Sequence, residues 1–236
     1  MRQFIFDVDG TLTPSRGRMD PEFKKYFMEF ARNNFVYIVT GSDYNKTWEQ
    51  LGEALVPIQI SYNCSGNSVW VNGTEIHTRD WTIRDDMRAW LEKQLKESRF
   101  YRKTGNHIEE RPGLVNFSIV GRNCNLEERA MYVEWDEHKN ERETIAQAFN
   151  ETYTRDGIIA QVAGETGIDI TPIGAGKAQI LQDFDTDIDE LIFFGDKCEK
   201  GGNDHDIAQA VGLFGTVHAV VDWKETYEIL RGQYGN

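Results

Sequence analysis

Apolar residues along the chain fall into two rhythms. Short unbroken runs that stop on acids and glycine alternate with stretches in which aromatics recur at helical spacing. The run Gln3 to Asp9 ends on Asp7, Asp9 and Gly10, the pattern of a buried strand entering a loop. Residues 21–33 place Phe23, Phe27 and Phe30 on one helical face behind Pro21, a favoured first helical residue. A second strand, Phe35–Val39, ends at Thr40-Gly41-Ser42-Asp43. A further helix and a strand over Ile58–Tyr62 follow. Such alternation implies a parallel sheet covered on both faces. Val69–Val71 and Glu75–His77 flank Asn72-Gly73 as a hairpin.

The middle of the chain loses this alternation. Residues 82–98 form an amphipathic helix with Met87, Trp90, Leu91 and Leu95 on one face. His107–Glu110, Leu114–Val120 and Ile158–Ala163 read as strands, and the charged residues 126–149 as one helical stretch. After Thr171 the first rhythm returns: a helix over Lys177–Phe184, a strand over Leu191–Phe194, a helix over Asn203–Val211 and a last strand over His218–Val221. The expected organisation is an α/β parallel-sheet core, residues 1–79 and 173–236, interrupted by an α+β insert at residues 80–172.

Composition narrows the function. The 236 residues carry a formal charge of −13, with 39 % hydrophobic and 28 % charged residues, as a globular chain should. Such a balance argues against nucleic acid or an anionic membrane surface as partner, since both reward clustered Lys and Arg. No apolar run approaches a membrane span or a signal peptide. Cys64, Cys124 and Cys198 are distant and odd in number, which suits a reducing, cytoplasmic setting.

Four motifs fall at the carboxyl ends of apolar strands or close by, the ligand-binding edge of a parallel sheet. They are Asp7-Val8-Asp9-Gly10-Thr11, Thr40-Gly41-Ser42, Lys177, and Gly195-Asp196 with Gly201-Gly202-Asn203-Asp204. Each alone has an ordinary reading: a tight turn, a helix cap at Thr40, a solvated lysine, a loop closing on an N-cap. Together they suit one chemistry. Asp7 and Asp9, two residues apart on a strand end, point the same way, as nucleophile and as acid/base. Asp196 and Asp204 complete an all-oxygen set suited to Mg²⁺. Lys177 adds positive charge and Thr40 a hydroxyl donor, as attack on a phosphate dianion requires.

With these motifs in this order, the chain resembles the haloacid dehalogenase superfamily. More narrowly it resembles that superfamily's eukaryotic-type phosphomannomutases, through residues 6–16, 41–44, 108–129 and 193–207. The resemblance implies a Rossmann-like core with an inserted cap. It implies Asp7 as the phosphorylated nucleophile, Asp9 as acid/base, and Mg²⁺ held by Asp7, the Asp9 carbonyl and Asp196 with Asp204 nearby. Substrate would be met by Ser42 and Arg16 on the core and by Arg111, Arg122 and Arg129 on the cap, with Asn116 and Asp169 on the sugar. Read alone, Arg129 beside Glu127 and Glu128 is a solvated helix residue rather than a phosphate ligand. The activity implied is interconversion of mannose 6-phosphate and mannose 1-phosphate, with a hexose 1,6-bisphosphate activator and a homodimer through the cap.

The chain departs from the family at four places. Thr40 replaces a glycine, Gly167 a substrate-binding serine, and Val120 a proline, and no aromatic precedes Lys177. Thr40 and Gly167 keep a second reading open, a Mg²⁺-dependent sugar-phosphate phosphatase. A non-catalytic binding protein on the same fold predicts damaged acids, and the acids are intact. Gly174-Ala175-Gly176-Lys177 lacks the first glycine and final hydroxyl of a Walker loop, and Asp183–Asp187 lacks the glycine and glutamate of a calcium loop.

Overall fold

The structure, a computed structural model, describes residues 1–235. The chain divides into two compact units, Met1–Arg79 with Gly174–Asn236, and Asp80–Ile173. The first begins with β1 (Arg2–Phe6), α1 (Pro21–Asn33), β2 (Phe35–Val39), α2 (Tyr44–Leu51), β3 (Ile60–Asn63), β4 (Ser68–Val71) and β5 (Thr74–Thr78). The second holds α3 (Asp85–Glu97), β6 (Ile108–Arg111), β7 (Leu114–Phe117), α4 (Leu126–Lys139), α5 (Glu141–Tyr153), β8 (Ile158–Ala163) and β9 (Gly167–Pro172). The first unit then resumes with a 3₁₀ helix (Lys177–Asp183), β10 (Glu190–Gly195), α6 (His205–Val211), β11 (Thr216–Ala219) and α7 (Trp223–Ile229).

In the first unit a seven-stranded sheet runs β11-β10-β1-β2-β3-β4-β5. It is parallel from β11 to β3 and closes with the antiparallel β4 and β5. Successive residues of the central strands go to opposite faces, and both faces are covered. Phe4, Phe6, Ile192 and Phe194 pack with Phe23, Phe27 and Phe30 of α1. Ile5, Leu191 and Phe193 pack instead with Ile207, Ala208 and Val211 of α6. Helix α1 starts where its sequence dictates: the Asp20 carboxylate accepts from the amides of Glu22 and Phe23, and Pro21 follows. Its fully buried Phe23 and Phe27 each contribute about 1.5–3 kcal/mol of burial.

The sheet order makes β1 the strand at which the direction of winding reverses. The chain goes from β1 outward to β2 and β3, then returns to β10 on the other side. Ligands bind at the carboxyl side of such a reversal. Asp7 directly follows β1, Thr40 follows β2 and Asp196 follows β10.

The second unit has a four-stranded antiparallel sheet, β6-β7-β9-β8. One face packs Val115, Phe117, Ile158, Ala160, Ile168 and Ile170 against Met87, Leu91, Tyr132 and Phe149 of the helices. The other carries a transverse row, Glu109, Asn116, Asp169 and Gln161, paired in register across the four strands.

Sequence reading differs from the structure in several elements: the helix expected over Lys177–Phe184 is a 3₁₀ helix, the last strand lies at Thr216–Ala219 and not His218–Val221, and four further differences have clear causes or signals. The helical stretch 126–149 breaks at Asn140, which adopts φ 52°, ψ 38° and joins α4 to α5; asparagine tolerates this left-handed conformation, so it ends one helix without a glycine. The strand at Leu114 stops at Phe117. Strand β9 was not expected, although Ile168 and Ile170 alternate with Asp169 and Thr171. Helix α7 was also not expected; Asp222 caps it by accepting from Lys224 and Glu225. Among the described residues, no helix is long and apolar enough to cross a membrane.

Candidate active site

Asp7 is buried at the end of β1, with its amide donating to the Phe194 carbonyl of β10 (2.9 Å). Lys177 is 3 % exposed, so the solvated-lysine reading fails. Its ammonium donates to Asp7 Oδ1 (2.6 Å) and to Asp204 Oδ1 (2.7 Å). Thr11 donates its hydroxyl to Asp7 Oδ2 (3.3 Å), and the Lys197 amide donates to Asp204 Oδ2 (3.2 Å). Oxygens of Asp7, Asp196 and Asp204 all lie within 4.8 Å of one another. Gly10 has φ +84°, and a Cβ there would collide with the Asp196 carboxylate. Glycine is therefore required both for backbone conformation and for the approach of the two loops.

Three carboxylates face the buried Lys177 ammonium and the exposed Lys197 ammonium, 3.7 Å from Asp196, so the cluster still holds more negative charge than it neutralises. Burial and then Asp204 push Asp7 well above the usual carboxylate range, with Lys177 opposing. Burial and then Asp204 raise Asp196 to about 6. For Lys177, burial disfavours the charge, but Asp204 and Asp7 outweigh it and hold the ammonium more firmly protonated than an ordinary lysine. An all-oxygen donor set with surplus negative charge fits a hard divalent cation.

Asp9 stands apart from this cluster. Its Oδ1 accepts from the Arg16 amide (2.6 Å) and from Gln50 Nε2 (2.9 Å), so its carboxylate is held by other partners than the three acids. Arg16 itself is exposed and has φ 57°. Thr40 is buried; its Oγ1 accepts from the Ser42 amide (3.1 Å), and α2 is capped by Asp43, not by Thr40.

In the second unit, Arg111 and Arg122 share one acid, with Glu109 at 3.0 and 2.5 Å. Burial would raise Glu109, but Arg111 and Arg122 outweigh it and hold the carboxyl below its ordinary value. Arg129 is buried and pairs with Glu165, which replaces the solvated-surface reading. Asn116 and Asp169 sit opposite each other on β7 and β9, and Asn116 Nδ2 donates to Asp169 Oδ1 (2.6 Å). The Asn116 Oδ1 acceptor is buried without a hydrogen-bond partner among the described residues. Sequence reasoning missed Gln50, Glu109 and Glu165. Glu109 lies two residues before Arg111 on one strand, hence on its face, a signal present in the sequence. Gln50 carried none.

A profile of the family described as eukaryotic phosphomannomutase matches residues 23–234. The chain belongs to that family. It is 33 % identical to a probable phosphomannomutase of Caenorhabditis elegans, over 86 % of this chain and 84 % of the relative. It is 30 % identical to a phosphomannomutase of Saccharomyces cerevisiae, over 96 % of this chain and 91 % of the relative. Among solved structures, a Plasmodium falciparum IMP-nucleotidase aligns at TM-score 0.64 and 16 % identity, over 97 % of this chain and 67 % of that one. The C-terminal domain of a C. albicans trehalose-6-phosphate phosphatase aligns at TM-score 0.63 and 14 % identity, over 98 % and 91 %. At such identities these two show the fold alone: a haloacid dehalogenase-type core carrying a cap.

Two expected results follow from this phosphomannomutase-family site. The first concerns charge. Without metal, Asp196 binds its proton more tightly in the folded than in the unfolded chain, so its contribution to stability falls as pH rises toward and through about 6. Metal-free protein should lose melting temperature over this interval, and Asp196→Asn should remove that part of the loss. Mg²⁺ at a hundred times its Kd should then raise the melting temperature at pH 7 by about 5–10 °C, with a smaller gain at pH 5. Calorimetry with and without chelator reads both.

The second concerns Gly167, at which the resemblance implies a serine. A Cβ there would lie 2.5 Å from Asn116 Nδ2. Gly167→Ser must therefore displace Asn116 from Asp169, at a cost of about 1–3 kcal/mol. Thermal unfolding checks it; an unchanged melting temperature would show that Asn116 yields freely.

Proposed function

We propose that this chain interconverts a hexose 6-phosphate and a hexose 1-phosphate, with mannose as the hexose, by carrying the phosphoryl group on Asp7. The observation that supports it is the buried cluster of Asp7, Lys177, Asp196 and Asp204, set at the winding reversal of the sheet in a chain of this family. Asp7 attacks phosphorus. The bond to the sugar oxygen breaks as the bond to Asp7 forms, and Asp9 gives its proton to the departing oxygen. In the return step Asp9 takes the proton from the free hydroxyl of a hexose monophosphate and the phosphoryl group leaves Asp7 for that oxygen, so that a bisphosphate re-forms and, turned end for end, gives up its other phosphate to Asp7.

Gln50 and the Arg16 amide aim the Asp9 carboxylate for both roles. Lys177 offsets charge on Asp7 and the phosphoryl oxygens, and Thr40 and Ser42 add donors beside them. When bound, Mg²⁺ at Asp7, the Asp9 carbonyl, Asp196 and nearby Asp204 supplies further positive charge against the phosphate. The first phosphoryl group on Asp7 would come from a hexose 1,6-bisphosphate. Arg111, Arg122 and Arg129, with Arg16, hold the phosphate that is not transferred, for which guanidinium forks are suited. Asn116, through its orphaned Oδ1, and Asp169 accept sugar hydroxyls. A reducing, cytoplasmic setting agrees with the three free cysteines. The family resemblance further implies a homodimer through the second unit, which light scattering measures.

A ³¹P NMR time course tests the reading. Purified protein, Mg²⁺, mannose 1-phosphate and catalytic glucose 1,6-bisphosphate should give a growing 6-phosphate signal with little inorganic phosphate. Thr40, standing where the family has glycine, favours one competitor, the Mg²⁺-dependent phosphatase. Steady inorganic phosphate without any bisphosphate requirement would establish that competitor.

A further inference from the structure

Residues Cys64, Ser65 and Gly66, just after β3, have φ of 49°, 60° and 93°. Two adjacent non-glycine residues in the left-handed region persist only where their surroundings over-determine them. The amides of this bend face the loop after β2: Ser65 donates to the Thr40 carbonyl (2.8 Å) and Cys64 to the Ser42 carbonyl (2.9 Å). Its carbonyls are held by two side-chain amides. Asn67 Nδ2 donates to Cys64 O (2.7 Å), and Gln179 Nε2 to Ser65 O (2.7 Å).

Those same two amides reach a second loop. Asn67 Nδ2 and Gln179 Nε2 both donate to the Ala175 carbonyl, at 3.0 and 2.9 Å, two residues before Lys177. Arg79 completes the unit: Nε donates to Asn67 Oδ1 (2.6 Å) and a terminal nitrogen to Gln179 Oε1 (2.8 Å). Asn67 is fully buried, and a Cβ on Gly66 would lie 3.0 Å from Gln179 Cγ.

We propose that Gln179, Asn67 and Arg79 are positioning residues that align the Thr40–Ser42 loop with the backbone that delivers Lys177. Their hydrogen bonds go to the two loops and to one another and not to Asp7 or Asp9, so they act through the loops. Donors and acceptors match in one arrangement: each amide gives its protons to carbonyls and presents its oxygen to the guanidinium. A shift of one loop relative to the other must break several bonds together.

The inference rests on the reading that Thr40 and Lys177 act on a transferred phosphate. The test is Gln179→Glu, which keeps the oxygen facing Arg79 but removes the donor to Ser65 O and Ala175 O. The expected result is a fall in kcat of about 10- to 100-fold, with KM for the sugar phosphate changed by less than about twofold. Gln179→Met, which adds no charge, should move kcat the same way. Thermal unfolding of both variants separates misplacement from unfolding. The inference is overturned if both variants retain wild-type kcat, if KM rises as much as kcat falls, or if the lost activity equals the unfolded fraction. Wild type in the same assay tests the function separately. If it releases inorganic phosphate instead of isomerising, the function reading fails, and the variants are judged on kcat for release.

Discussion

Asp7→Asn should abolish turnover without weakening the fold. Loss of a covalent nucleophile costs on the order of 10⁶-fold in kcat in well-studied enzymes, so the variant should sit at assay background. Stability should move the other way or not at all. Burial and the facing carboxylate of Asp204 already push Asp7 far from its ordinary ionisation, so its negative charge is costly in the metal-free fold. A neutral amide of the same shape removes that cost, although Lys177 loses one of its two acids. Activity by ³¹P NMR and melting temperature in chelator together check the prediction. Retained turnover would remove Asp7 from the chemistry; a large drop in melting temperature would make its role structural.

Lys177→Met should be the most destabilising single change at the site. It removes the one cation between Asp7 and Asp204, both almost fully buried, and leaves facing carboxylates uncompensated. Breaking a buried ion pair from one side costs about 3–5 kcal/mol, or roughly 6–20 °C for a chain of this size. The Lys177 pKa is raised in the fold, so its contribution is complete at neutral pH and is lost only in strongly alkaline solution. Added Mg²⁺ should recover part of the loss, because a divalent cation offsets the same surplus charge. Parallel melts in chelator and in Mg²⁺ read this directly. Equal losses in both would place the metal away from these acids.

Much of the fold was legible because its signals are local. Phe23, Phe27 and Phe30 announce α1, and the apolar run before Asp7 announces a doubly buried strand. The elements that escaped lack such signals. Asn140 breaks a helix without glycine or proline, and β9 is recognisable only by a period-two alternation within six residues. At the site, the motif residues Asp7, Lys177, Asp196 and Asp204 were readable from order and spacing, and the structure brings them together. Their supporting partners were not. Gln50 reaches Asp9 from another element, 41 residues away, and Gln179 meets Ser65 across 114 residues. Ordinary glutamines carry no mark of such long-range bonding in a single sequence.

The pairing of β1 with β10 has a consequence for how the molecule is made. Phe4 and Ile5 lie beside Ile192 and Phe193, so a strand buried at all but its first residue waits for a partner almost two hundred residues downstream. The strand pairs of the four-stranded sheet, by contrast, all lie within Ile108–Pro172 and are complete much sooner on a growing chain. Long-range parallel pairing is slow, and exposed strand edges invite association in the meantime. Vectorial synthesis therefore leaves the aromatic-rich amino terminus open until the last quarter of the polypeptide emerges. A chain that stops before the end of β10 lacks Asp196 and Asp204, so it has neither acid to set beside Asp7. The three acids meet only once β10 has docked against β1.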